Sequence, residues 1–235
     1  ARPITLTADN RTKVYGDTLS LGTSSFTKTA GTYANSEVAT AVTLTSANGY
    51  AASTTRAVGT NANEVVATSA TGTDGFLASN YDITYVSGSL AITARPITLT
   101  ADNRTKVYGD GLTLGTSGFT KTSGTYANSE VATAVTLTSA NGYAASTTRA
   151  VGTNASEVVA TSATGTDGFL ASNYDITYVS GSLAITARPI TLTADNRTKV
   201  YGDTLSLGTS SFTKTAGTYA NSEVATAVTL TSANG

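Results

Sequence analysis

The chain has no cysteine, no histidine, no methionine and no tryptophan, and only three prolines in 235 residues. Without cysteine there are no disulfide staples and no thiol chemistry, and an exported chain has nothing to mispair in an oxidising compartment. The absence of histidine as well removes the usual zinc, copper and haem ligands. Charge is scarce: Asp, Glu, Lys and Arg make up 12% of the chain, well under the ~25% common in soluble domains. The net charge is −1 and the Lys and Arg residues stand singly. A nucleic-acid partner needs a basic stripe to engage phosphates, so that class is excluded. No apolar run approaches the ~20 residues of a membrane span, so the segment predicts no membrane insertion.

What fills the chain instead is threonine, about a fifth of all residues. Threonine is β-branched and favoured in strands, and its hydroxyl makes a polar outer face without charge. Hydrophobic residues still make up 40%, enough for packed cores. Composition therefore predicts an all-β chain.

Self-comparison settles the organisation. The segment ARPITLTADNRTKVYGD begins at Ala1, at Ala94 and at Ala187, a period of 93 residues. The first two copies differ only at Thr18/Gly111, Ser20/Thr113, Ser25/Gly118, Ala30/Ser123 and Asn63/Ser156. Repeat modules are thus expected at 1–93 and 94–186, with a partial module at 187–235. The third copy stops mid-unit at Gly235, and the expectation is that the parent chain continues. Solenoid repeats are usually shorter, ~20–50 residues, so 93 residues predict tandem small β-sandwich-like domains, Ig-like or related. The alternative is a continuous β-solenoid, suggested by an echo between Ile4–Asn10 and Val42–Asn48.

Within one unit, Ile4–Thr7 and Tyr81–Val86 alternate apolar and polar residues, the signature of half-buried strands. Val38–Thr45 is expected to place Val38, Val42 and Leu44 on one face. Lys13–Tyr15, Leu19–Leu21, Phe26–Lys28, Glu64–Ser69 and Ser89–Thr93 read as further short strands, and Ala51–Val58 as a loop or a single helical turn. At the junction, Leu90 and Ile92 share one parity and Ile97 and Leu99 the other. A strand keeping one face buried does not switch parity, so one strand ends in one core and the next begins in another, two or three residues on.

Candidate chemistry is sparse. Asp9, Asp17 and Asp74 sit beside Asn or Gly, where carboxylates usually cap turns. Oxygen-rich loops nominate Asp9, Asp74 and Asp82 as calcium ligands, but no loop has the calcium-loop order. No other cofactor and no catalytic residue is indicated. Lys13 and Lys28 read as exposed strand lysines that discourage edge pairing, with a Lys–Asn isopeptide bond as the alternative. Tyr15, Phe26, Tyr33, Tyr50, Phe76, Tyr81 and Tyr85 are expected to be the largest core residues, with Tyr33 and Tyr50 the ones to watch for exposure.

Lys13-Val-Tyr-Gly-Asp17 after an ITLTA strand resembles the opening of the mostly-β MBG or YDG modules. Asn80-Tyr-Asp-Ile-Thr-Tyr-Val-Ser-Gly-Ser-Leu-Ala-Ile-Thr93 resembles their closing pair of strands. Arg56-Ala-Val-Gly-Thr60 is similar to their central strand, with Asn61 where Tyr is usual. Such modules occur in tandem in large bacterial surface proteins, including filamentous-haemagglutinin-like adhesins. The resemblance implies an extracellular, bacterial-surface or secreted location, an adhesive or spacer role, and no enzyme. The leading expectation is a structural stalk whose partners are neighbouring repeats of the same chain and possible other copies in a fibre. The alternatives are a self-assembling filament or sheath subunit, or a repeat binding glycans or proteins multivalently.

Overall fold

A computed structural model describes residues 1–233. The chain is all-β with tandem sheet modules. The first repeat contains seven strands: β1 (Arg2–Ala8), β2 (Arg11–Val14), β3 (Phe26–Gly31), β4 (Val38–Ser46), β5 (Gly59–Thr73), β6 (Tyr81–Val86) and β7 (Gly88–Thr93). A 3-10 turn at Ala78–Asn80 precedes β6. They form two sheets, a three-stranded one in the order β3-β1-β6 and a four-stranded one in the order β2-β7-β5-β4.

Alternation dictates the core. In β1, Ile4, Leu6 and Ala8 point inward, and in β7 Leu90 and Ile92 do, joined by Val65 and Ala67 from β5. The β5 strand packs against β1 and β6 of the other sheet. Leu6 and Leu90 retain no exposed surface, so each contributes about 2 kcal/mol of burial.

The second repeat gives β8 (Arg95–Ala101), β9 (Arg104–Val107), β10 (Phe119–Gly124), β11 (Val131–Ser139), β12 (Gly152–Thr166), β13 (Tyr174–Val179) and β14 (Gly181–Thr186). Its sheets repeat the orders of the first, β10-β8-β13 and β11-β12-β14-β9. In the third copy β15 (Ile190–Ala194) pairs with β16 (Phe212–Gly217). By compactness the chain divides into one unit of Ala1–Leu99, Lys121–Val135 and Ser162–Thr177, and a second of Thr100–Thr120, Thr136–Thr161 and the chain from Tyr178 on.

Three expectations need correction. Leu19–Leu21 is a loop, held by the Leu19 amide donating to Ala51 O at 2.8 Å and by burial of Leu21. In β4 the register against β5 shifts between Ala39 and Ala41 and again before Thr43. These bulges turn Ala39 inward and leave Val38 outside, 41% exposed. Lys13 is buried rather than exposed, and its ammonium donates to the carbonyls of Tyr50, Ala51 and Ser53. Lys28 does lie at the surface of the edge strand, donating to Gly31 O at 2.6 Å.

The loop from Ala47 to Val58 is pinned from two sides. Lys13 holds its carbonyls, and Glu64, fully buried, holds its amides. The Glu64 carboxylate accepts from the Ser46 hydroxyl, from Asn48 N and Nδ2 at 3.2 and 2.8 Å and from Tyr50 N at 3.1 Å. Burial alone pushes this acid up, but the converging donors outweigh it and hold it below its ordinary value. Both ions are therefore structural, and the Lys13 ammonium faces main-chain carbonyls rather than an amide side chain.

Candidate functional site

The calcium candidates take separate places. Asp9 follows β1 and accepts from Thr27 Oγ1 at 3.0 Å. Asp82 lies opposite Pro3 in the β1–β6 pairing, six residues along the strand from Asp9, about 20 Å at ~3.3 Å per residue. Asp74 occupies a left-handed turn position (φ 54°) and accepts from Thr73 Oγ1. Among the described residues no three carboxylates gather as a metal-binding group. The aromatics are partnered as well. Tyr33 meets Phe76 and Tyr81 edge-on at 6.0 Å, and the Arg56 guanidinium covers Tyr50 at 4.3 Å. Tyr15, Phe76 and Tyr81 are buried, while Phe26, Tyr33, Tyr50 and Tyr85 are half-buried.

The built site of this molecule is the junction between its first two repeats, and its residues all belong to the first compact unit. Only Ala94 separates β7 from β8. Beyond it, Arg95 reaches back: its Nε donates to Tyr15 O at 2.7 Å, and the guanidinium pairs with the Asp17 carboxylate. The turn Tyr15-Gly16-Asp17, which closes β2, is thereby clamped by the first residue of the next strand.

The next repeat offers a second turn, Ala127-Asn128-Ser129-Glu130. Asn128 and Ser129 both have positive φ, 50° and 64°, a conformation Asn tolerates better than most residues. The Asn128 amide donates to Thr54 O at 3.0 Å. Glu130 accepts from Tyr15 OH at 2.5 Å on one oxygen and from Tyr174 OH at 2.6 Å on the other. The Tyr15 and Tyr174 rings meet edge-on at 5.8 Å, and Asn173 Oδ1 accepts from the Val58 amide at 3.2 Å. Gly16 has φ +86°, and a Cβ there would lie 2.4 Å from the Ala127 Cβ; glycine is required on both counts.

Burial pushes the Tyr15 phenol above its ordinary value, and the bond to Glu130 adds to this. Tyr174 is raised for the same two reasons in the same order. One carboxylate thus keeps two phenols protonated, one from each repeat. Tyr15 is 3% exposed in this setting. The arrangement recurs one period on: Arg188 donates to Tyr108 O at 2.8 Å and pairs with Asp110. There Tyr108 OH donates to Glu223, Asn221 donates to Thr147 O at 2.9 Å, and a Cβ on Gly109 would lie 2.3 Å from Ala220 Cβ.

A sequence model of the MBG domain (YGX type) matches residues 4–91 and again 97–184. The chain belongs to the MBG domain family. No curated protein and no solved structure matches it. MBG domains are a non-catalytic repeat type found in extracellular, adhesin-like surface proteins. The Tyr-Gly-X lettering of this type is met by Tyr15-Gly16-Asp17 and Tyr108-Gly109-Asp110, the turns that meet the following MBG repeat. No helix among the described residues is long and apolar enough to cross a membrane.

Sequence reasoning assigned Asp17 to turn capping and Tyr15 to the core of its own module, and missed both their partners. The signal was present in the repeat itself, because Arg-Pro, Tyr-Gly-Asp and Ala-Asn-Ser-Glu recur together at one period.

Proposed function

We propose that these MBG repeats are the stalk or spacer of an extracellular bacterial surface protein, and that they do no catalysis. The observation that carries this reading is the junction: a single residue between strands, and a Tyr-Gly-Asp turn clamped by Arg95 and seated on Glu130. A connection so short and so heavily bonded leaves neighbouring modules little freedom, which is what a spacer needs and a flexible binding array does not. Each module advances the chain by the length of its first strand path, Arg2 to Val14, about 40 Å at ~3.3 Å per residue. Reach then grows with the number of copies, and near-identical copies preserve one joint throughout.

Small-angle scattering of chains carrying two, three and four MBG modules tests this. The maximum dimension is expected to rise by about 40 Å per module at constant cross-section. A cross-section that doubles through lateral pairing overturns the stalk in favour of a filament or sheath subunit. A dimension that grows as the square root of module number marks a loose string. Antibody labelling of intact cells tests the surface location.

A further inference from the structure

The first and last strand segments of the module lie side by side in one unbroken register. Arg2 pairs with Tyr81 and Thr7 with Val86, in parallel. Arg11 then pairs with Leu90 and Val14 with Thr93, also in parallel. The offset is 79 residues throughout, although β1 and β6 belong to one sheet and β2 and β7 to the other. Where the two paths change sheets they stay in contact. A Cβ on Gly88 would lie 2.5 Å from Ala8 O and 2.7 Å from Asp9 O, and Ser89 N donates to Asn10 Oδ1 at 2.8 Å. Past the last pair, Tyr15 N donates to Thr93 O at 2.9 Å. In the second repeat Leu183 pairs with Arg104 and Thr186 with Val107 at the same offset.

We propose that each MBG module is a mechanical clasp, loaded in shear, that resists stretching of the chain. Tension enters a module at the start of β1, beside Tyr81, and leaves it at the end of β7, beside Val14. The two paths run parallel and are pulled toward opposite ends, so tension slides one lengthwise against the other. Evenly spaced bonds of a parallel ladder are then strained together, whereas a ladder pulled apart from one end breaks one pair at a time. Neither terminal strand is an edge strand. The β1 strand lies between β3 and β6, and β7 between β2 and β5, so each must shear two ladders to move. Ile4, Leu6, Leu90 and Ile92, each at most 2% exposed, keep water from the inner side of the sliding pair. Through Ala94 the load passes into β8, again an interior strand. This inference rests on sheet topology and does not require the surface location.

The absence of cysteine makes the test clean, since introduced thiols are the only tether points. Single-molecule stretching of the 235-residue chain is compared in two directions at equal loading rate. Tethers at Ala1→Cys and Ala94→Cys load the clasp in shear, with a chain release of about 290 Å at ~3.6 Å per residue less the folded length. Tethers at Val38→Cys and Thr73→Cys join exposed residues that face each other at the end of the β4–β5 ladder; they peel that edge open and release about 120 Å. The expected rupture force is at least twofold higher in the first direction. Forced unfolding reads the unfolding rate, so the steeper rise of force with loading rate should also belong to that direction. Equal forces, or a weaker terminal direction, overturn the clasp while leaving the scattering test of the stalk untouched. The tether sites avoid the core, and unchanged thermal unfolding of each double variant verifies that folding was not the cause.

Discussion

The Tyr15 hydroxyl donates to the Glu130 carboxylate across 115 residues of sequence, and Tyr174 occupies that carboxylate's other oxygen. Removing the hydroxyl as Tyr15→Phe leaves a buried carboxylate oxygen short of its strongest donor. The expected cost is about 1–2 kcal/mol, confined to the joint. Scattering should show a broader distribution of interdomain distances, while the main thermal transition stays in place. Combining it with Glu130→Gln in a double-mutant cycle separates the contact from general loosening. A melting temperature that falls with no change in scattering would place Tyr15 in the module core instead.

The same pair makes the joint sensitive to alkali. Both phenols are held above their ordinary value of 10.0, by burial first and Glu130 second. Their contribution is therefore complete below pH 10 and is lost as pH rises through the folded-state values. Lys13 runs the other way: burial holds it below its ordinary 10.5, so its desolvation cost is relieved as pH climbs toward that value. Global stability mixes the two, but phenolate absorbance does not. A wild-type titration should show late-ionising tyrosines, and Tyr15→Phe should both remove one and bring Tyr174 earlier. Tyrosines that all titrate together near pH 10 would contradict the joint geometry.

Gly16 and Gly49 separate backbone strain from packing. Both have positive φ, +86° and +73°, but a Cβ on Gly49 meets nothing within 4 Å, whereas one on Gly16 meets Ala127. Gly49→Ala is expected to cost about 1 kcal/mol, the left-handed penalty alone. Gly16→Ala carries the same penalty and also forces the two turns apart. Its signature is a longer, looser particle in scattering, which Gly49→Ala should not show. Combining Gly16→Ala with Ala127→Gly should restore the dimension by returning the space.

Much of this was legible in the residues. Alternation marks β1, β6 and β7 because each has one buried face, whereas the parity switch between Leu90/Ile92 and Ile97/Leu99 falls inside one compact unit, Ala1–Leu99 with two later segments. Pattern reports which face is buried and not which strand lies beside it, so the parallel pairing at an offset of 79 residues left no trace. The bulges that turn Val38 outward break the periodicity on which the expectation for β4 rested. Lys13 looked like an edge lysine because the carbonyls that hold it come from Tyr50, Ala51 and Ser53, in a loop without periodicity. Tyr15 and Asp17 were readable only as part of one repeat, and their partners belong to the next.

Glu64 offers the sharpest test of what holds the module together. Its carboxylate gathers donors from Ser46, Asn48 and Tyr50, and they shape the loop that presents Thr54 and Val58 to the following repeat. Burial raises this acid, the donors lower it further, and the net position is below its ordinary 4.5. Its stabilisation is thus present above pH 4.5 and lost as pH falls through the folded-state value. Glu64→Gln keeps the shape but replaces an ionised acceptor with an amide whose NH₂ faces other donors. The expected loss is about 2–3 kcal/mol, which for a module of this size lowers the melting temperature by roughly 10 °C or more. The variant should also flatten the acid limb of the stability curve, because the group that titrates there is gone. An unchanged acid limb would mean that Glu64 is already protonated in the folded module, and the cradle would then have to be read as neutral.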